Sequence, residues 1–171
     1  MATQLTAEDA RQSLTSHVEQ KGVEVFVKYG AVADVATLDR LLADRVYVRY
    51  PCELVFDVTP LQPGEFAHPE QKGSSPEEGF TMFVHPEFES QPENVARAVL
   101  YQLVAVNYGE FASSAEAETF GAAALGITRD EYYDLLCGLS AQVGGSPDDE
   151  REVMAEPDQG CGGGGCHCGH S

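Results

Sequence analysis

Basic residues are scarce in this chain: 10 Lys and Arg stand against 28 Asp and Glu in 171 residues, a formal charge of −18. A surface of that sign repels nucleic acid and anionic lipid, so both are excluded as non-specific partners, while cations, metal ions and basic proteins remain compatible. Long apolar runs are missing as well. No stretch approaches the roughly 18 residues that span a bilayer, and the opening MATQLTAEDARQS has neither a basic n-region nor an apolar h-region, so the expected compartment is the cytoplasm. The patterns H-E-x-x-H, G-x-S-x-G and the P-loop lysine are absent, which removes the usual metalloprotease, hydrolase and nucleotide-binding motifs.

What is present suits one domain followed by a tail. Hydrophobic residues make up 43% of the chain, enough for a sizeable core. Residues 1–143 read as an α+β domain, 144–159 as an acidic, mobile linker and 160–171 as a Gly/Cys/His tail. Thr6 with Glu8 and Asp9 marks a helix start, with Ala10, Leu14 and Val18 at helical spacing. The run VEVFVKY after Gly22 alternates like a strand, yet continuation of the helix to Tyr29 is preferred. Asp34 caps a second helix. Pro92 opens a third, Ser113 or Ser114 a fourth that ends near Gly126, and Thr128, in the capping box TRDE, a fifth. Residues 60–79 hold four prolines and three glycines and read as a long loop. The segments LVFDV and FTMFV on either side of it are expected to pair antiparallel, giving a small sheet of two to three strands packed against about five helices.

The tail GCGGGGCHCGHS packs three of the five cysteines and two of the five histidines into twelve residues, half of them glycine. No core forms from such a composition, so its side chains serve ligation, redox chemistry or modification. In an extended chain Cys166, Cys168 and His170 share one face and His167 points away, while the four glycines before Cys166 let Cys161 fold back as a fourth ligand. A tetrahedral Cys3His site with His167 as a spare favours zinc, and nickel, copper(I) or an iron–sulfur species suit the same donors. An odd number of cysteines in a reducing compartment fits metal ligands or free thiols better than a disulfide framework.

On these residues the tail resembles the Cys/His-rich C-terminal tails of metal-delivery accessory proteins. The resemblance covers about residues 160–171 and implies a cytosolic accessory protein that carries a transition metal ion to a client metalloprotein. It carries no implication for the oligomeric state. Two other uses of the tail remain: a reversible disulfide between Cys161 and Cys166, making a thiol redox protein, and a precursor of a modified Cys/Gly-rich peptide.

Within the body, the motif His-Pro-Glu occurs at 68–70 and again at 85–87. Two imidazoles and two carboxylates there would make a second metal site or the centre of an enzyme, provided the strands bring them together. Pairing Cys52 with His85 as nucleophile and base is conceivable, but Cys52 is expected to be buried, and Cys137 to lie in or near the core. Tyr101, Tyr108, Tyr132 and Tyr133 are expected to pack. Asn107 to Glu110 reads as a helix stop at Asn107 or Gly109, or else as a binding surface. Arg45, Arg49 and Arg97 stand out among so few bases, and surface ion pairing is their expected role, with an anionic ligand as the alternative.

Overall fold

The computed structural model describes residues 6–144. The linker from residue 145 and the tail 160–171 lie outside the described residues. Five helices, α1 (Ala7–Tyr29), α2 (Val35–Leu42), α3 (Pro92–Tyr108), α4 (Ser114–Leu125) and α5 (Arg129–Gln142), combine with three strands, β1 (Cys52–Phe56), β2 (Ala67–Gln71) and β3 (Phe80–Val84), in an α+β arrangement.

Each helix begins where its sequence signal stands. Thr6, Ser113 and Thr128 form capping boxes with Asp9, Glu116 and Glu131, and the Asp34 carboxylate accepts the Thr37 N–H at 2.8 Å. The ends at Gly30, Gly109 and Gly126 have φ of 71°, 58° and 69°, a region that suits residues without a side chain. Helix α1 runs through Gly22 because that glycine meets α4: a Cβ there would stand 2.7 Å from the Ala123 Cβ and the Phe120 carbonyl. The alternating valines that resembled a strand lie around the helix instead, with Val25 buried and Val23 and Val27 exposed. At the N-terminal end of this contact the Thr15 hydroxyl donates to the buried Glu116 carboxylate at 3.1 Å. Burial works against the Glu116 charge, but hydrogen bonds from Ser113 and Thr15 outweigh it and lower the pKa.

The sheet corrects the expected pairing. Its order is β1-β3-β2, with β1 parallel to β3 and β2 antiparallel to β3. LVFDV and FTMFV therefore run side by side in the same direction. The hairpin partner of β3 is AHPEQ, inside the segment expected to be loop. A proline in a strand is tolerated here because β2 is an edge strand. The ladder bonds fall at Phe66–His85 and Lys72–Gly79, which places Pro69 at a position whose missing N–H would face away from β3. The outer edge is covered further by the Gln102 amide, which donates to the Ala67 carbonyl at 2.9 Å.

One sheet face, with Leu54, Phe56, Ala67, Met82 and Val84, packs into the core; α3 lies on β2 and β3 and contributes Val95, Val99, Leu103 and Val106. Helix α5 locks onto α3 through Tyr132, which is fully buried and donates its phenol to the Arg97 carbonyl at 2.7 Å. Close approach of α4 to α5 depends on Gly121, where a Cβ would meet the Tyr132 ring at 2.1 Å.

Candidate functional site

All five tail residues named as ligands, Cys161, Cys166, Cys168, His170 and His167, lie outside the described residues. Among the described residues no group of three or more His, Cys, Asp or Glu is arranged to hold a metal ion.

The two His-Pro-Glu segments meet at the β2–β3 hairpin, where the register sets His68 and His85 on one sheet face two positions apart, and they form no metal-holding group among the described residues. His68 pairs in register with Phe83, whereas His85 lies one residue beyond β3 and bonds through its N–H to the Phe66 carbonyl at 2.9 Å. Each imidazole has a local task. His68 Nδ1 sits 3.2 Å from the Glu65 carboxylate, and His85 Nδ1 accepts the Glu87 N–H at 3.1 Å, capping the short turn Pro86–Phe88. The second His-Pro-Glu thus reads as a turn device, with its ring edge against Phe88.

Cys52 and His85 belong to opposite ends of the sheet. Cys52 faces Phe80, five residues before His85 on the neighbouring strand, a separation of about 16 Å along an extended chain. Burial pushes the Cys52 thiol up to about 11, the reverse of what a nucleophile needs. Cys137 departs from expectation, for it is exposed. Helix α5 buries Tyr132, Leu136 and Leu139, and the residue after Leu136 is turned about 100° away from that stripe.

Cys137 lines a cleft of about 480 Å³ where α3, α4 and α5 meet the segment before β2. Its polar lining includes Glu65, Glu118, Gln102 and Ser140, and no Lys, Arg or His. Much of that polarity is committed: Ser140 donates to the Gly64 carbonyl at 2.9 Å, Gln102 bonds β2, and Glu118 pairs with Arg129 at 2.8 Å. Neither His68 nor His85 lines it.

A second cleft has the opposite character. Asn107 is helical, buried and clamped to the segment after α2: its amide donates to the Tyr47 carbonyl at 2.7 Å, and its carbonyl accepts the Arg49 N–H at 2.8 Å. Gly109 is the helix stop. This clamp carries Tyr47 and Arg49 against α1, where His17 and Lys21, four residues apart, occupy one helix face. Around a cavity of about 160 Å³ stand His17, Lys21, Arg45 and Arg49 with Tyr47 and Tyr108, and no carboxylate lines it. The Arg49 guanidinium lies 5.5 Å from the Tyr108 ring centre, Lys21 Nζ 5.6 Å from that of Tyr47, and the His17 ring meets Tyr108 edge-on at 5.9 Å. Arg45 Nη1 donates to the carbonyls of Leu42 at 2.9 Å and Val48 at 3.1 Å. Just outside, Asp44 accepts from Lys28 and Tyr29, both at 2.6 Å, and the Lys28 contact leads in holding the Asp44 carboxyl at about 2.

Among the described residues Lys21, Lys28, Lys72, Arg97 and Arg129 each have a carboxylate partner. Ion pairing thus accounts for Arg97, as expected, but Arg45 and Arg49 have no such partner among the described residues. His17 and Lys21 carry no motif, and their four-residue spacing on an extended α1 is the signal that finds them. No family model, curated protein or solved structure matches the chain.

Proposed function

We propose that this is a cytosolic accessory protein that binds a soft or borderline transition metal ion, zinc foremost, through Cys161, Cys166, Cys168 and His170, and hands it to a client metalloprotein. The observation that carries the reading is the tail itself: three thiols and an imidazole at spacing that lets them converge, in a segment with no apolar residue to pack. Two further facts support the rest of it. An odd cysteine count fits a reducing compartment, and no described helix is long and apolar enough to cross a membrane. The folded body supplies the surface by which a client is recognised, and the acidic residues of 148–158 raise the local cation concentration beside the ligands.

Elemental analysis and competition titration of the reduced full chain test the reading. The expected result is one tightly bound zinc, nickel, copper or iron equivalent that disappears when residues 160–171 are deleted; a full chain that binds no more metal than the deletion overturns it. Intact mass separates the other uses of the tail, since loss of water per cysteine marks a modified-peptide precursor and loss of two hydrogens a disulfide.

A further inference from the structure

We infer that the cleft between α1, the 45–49 segment and the end of α3 is a binding site for a single oxyanion group, the phosphate or carboxylate end of a small molecule. The inference stands independently of the tail. In a chain of formal charge −18, cations are ordinarily neutralised by nearby carboxylates, and five of the described Lys and Arg side chains are. The cleft departs from that pattern at Arg45 and Arg49, which stand beside His17 and the Glu24-paired Lys21 with no carboxylate in the lining.

Arg45 and Arg49 are held by groups that orient them without cancelling their charge. Arg49 rests on the Tyr108 ring and Arg45 uses only Nη1 on backbone carbonyls, while Lys21 lies near the Tyr47 ring and pairs with Glu24 at 3.0 Å. A guanidinium carries five N–H donors, and among the described residues Arg49 uses none of its side-chain donors on a carboxylate. Such a fork matches the two oxygens of a carboxylate or phosphate. The Tyr108 phenol, raised by burial, stays neutral and keeps its proton for donation. The backbone beneath is fixed by Asn107, so the donors are arranged before a ligand arrives. At about 160 Å³ the cavity is smaller than the roughly 300 Å³ at which small-molecule pockets begin, so it takes one charged group and leaves the remainder of the ligand outside.

The test is a titration of the reduced full chain with inorganic phosphate and, separately, with acetate, followed by backbone amide resonances. The expected result is saturable movement at residues 17–21, 47–50 and 107–108, weakened at least tenfold by Arg49→Gln and unchanged by Arg97→Gln. Lys21→Gln, also weakening, serves if Arg49→Gln does not fold. Saturation by phosphate alone assigns a phosphate-bearing ligand, and by acetate alone a carboxylate. Movement that fails to saturate, that is equally large at Lys72 and Arg129, or that survives both cleft substitutions overturns the inference.

Discussion

Two clefts of this domain share α4 as a wall and carry opposite charge. On one side Glu118 and Glu65 line the cleft near α5, with Arg129 satisfying Glu118; on the other, Phe120 closes a cleft whose charged lining is entirely cationic. The formal charge of the chain describes only their average. The difference lies in how cations are held: salt bridges neutralise Lys72, Arg97 and Arg129, whereas aromatic faces and backbone carbonyls position Arg49 and Arg45 and leave their charge available.

The largest expected effect comes from the wall that both clefts share. Gly121→Ala drives a methyl group into the Tyr132 ring, which is fully buried and cannot retreat, so thermal or urea denaturation should show a loss of about 2–3 kcal/mol and both clefts should deform together. A variant as stable as the parent would mean that α4 and α5 are free to part.

A narrower change should separate the clefts. Asn107→Ala leaves the Arg49 N–H and the Tyr47 carbonyl without their partner, a cost of about 1–3 kcal/mol, and releases the segment that carries Arg49. Amide hydrogen exchange should rise at 47–50 while residues around Cys137 keep their protection. Equal loosening at both clefts would show that they are one mechanical unit.

The smallest effect is confined to acid. The Asp44 carboxyl sits near 2, below its ordinary 3.8, because Lys28 and Tyr29 donate to it. A depressed carboxylate contributes stability that is fully present above its unfolded value and is lost as pH falls through the folded one. The stability difference between the parent and Asp44→Asn should therefore be constant above about pH 4–5 and shrink as pH drops toward about 2. A difference that persists at the acid end would assign the role to packing instead of charge.

Legibility from sequence followed the range of the interaction. Thr6, Asp34, Ser113 and Thr128 announce helices because a cap acts over three residues; only between Ser113 and Ser114 does the sequence leave the start open. The strand Ala67–Gln71 is hidden in the sequence because its proline argues against any strand until its edge position is known. The parallel pairing of β1 with β3 is hidden for a related reason, since adjacent apolar segments suggest a hairpin and only the intervening strand reverses the direction. Arg49 and Asn107 stand 58 residues apart, and nothing local in the sequence marks that one holds the other.

By itself the sequence determined the helices and their ends, the acidic average, and a tail dense in cysteine, histidine and glycine, because each depends on neighbours a few positions away. Tertiary structure decided which strand β3 pairs with on each side, that Cys137 turns outward while Cys52 is raised to about 11, and that scarce cations collect in one cleft. Those outcomes depend on which surfaces exclude water together, and local pattern does not carry that information.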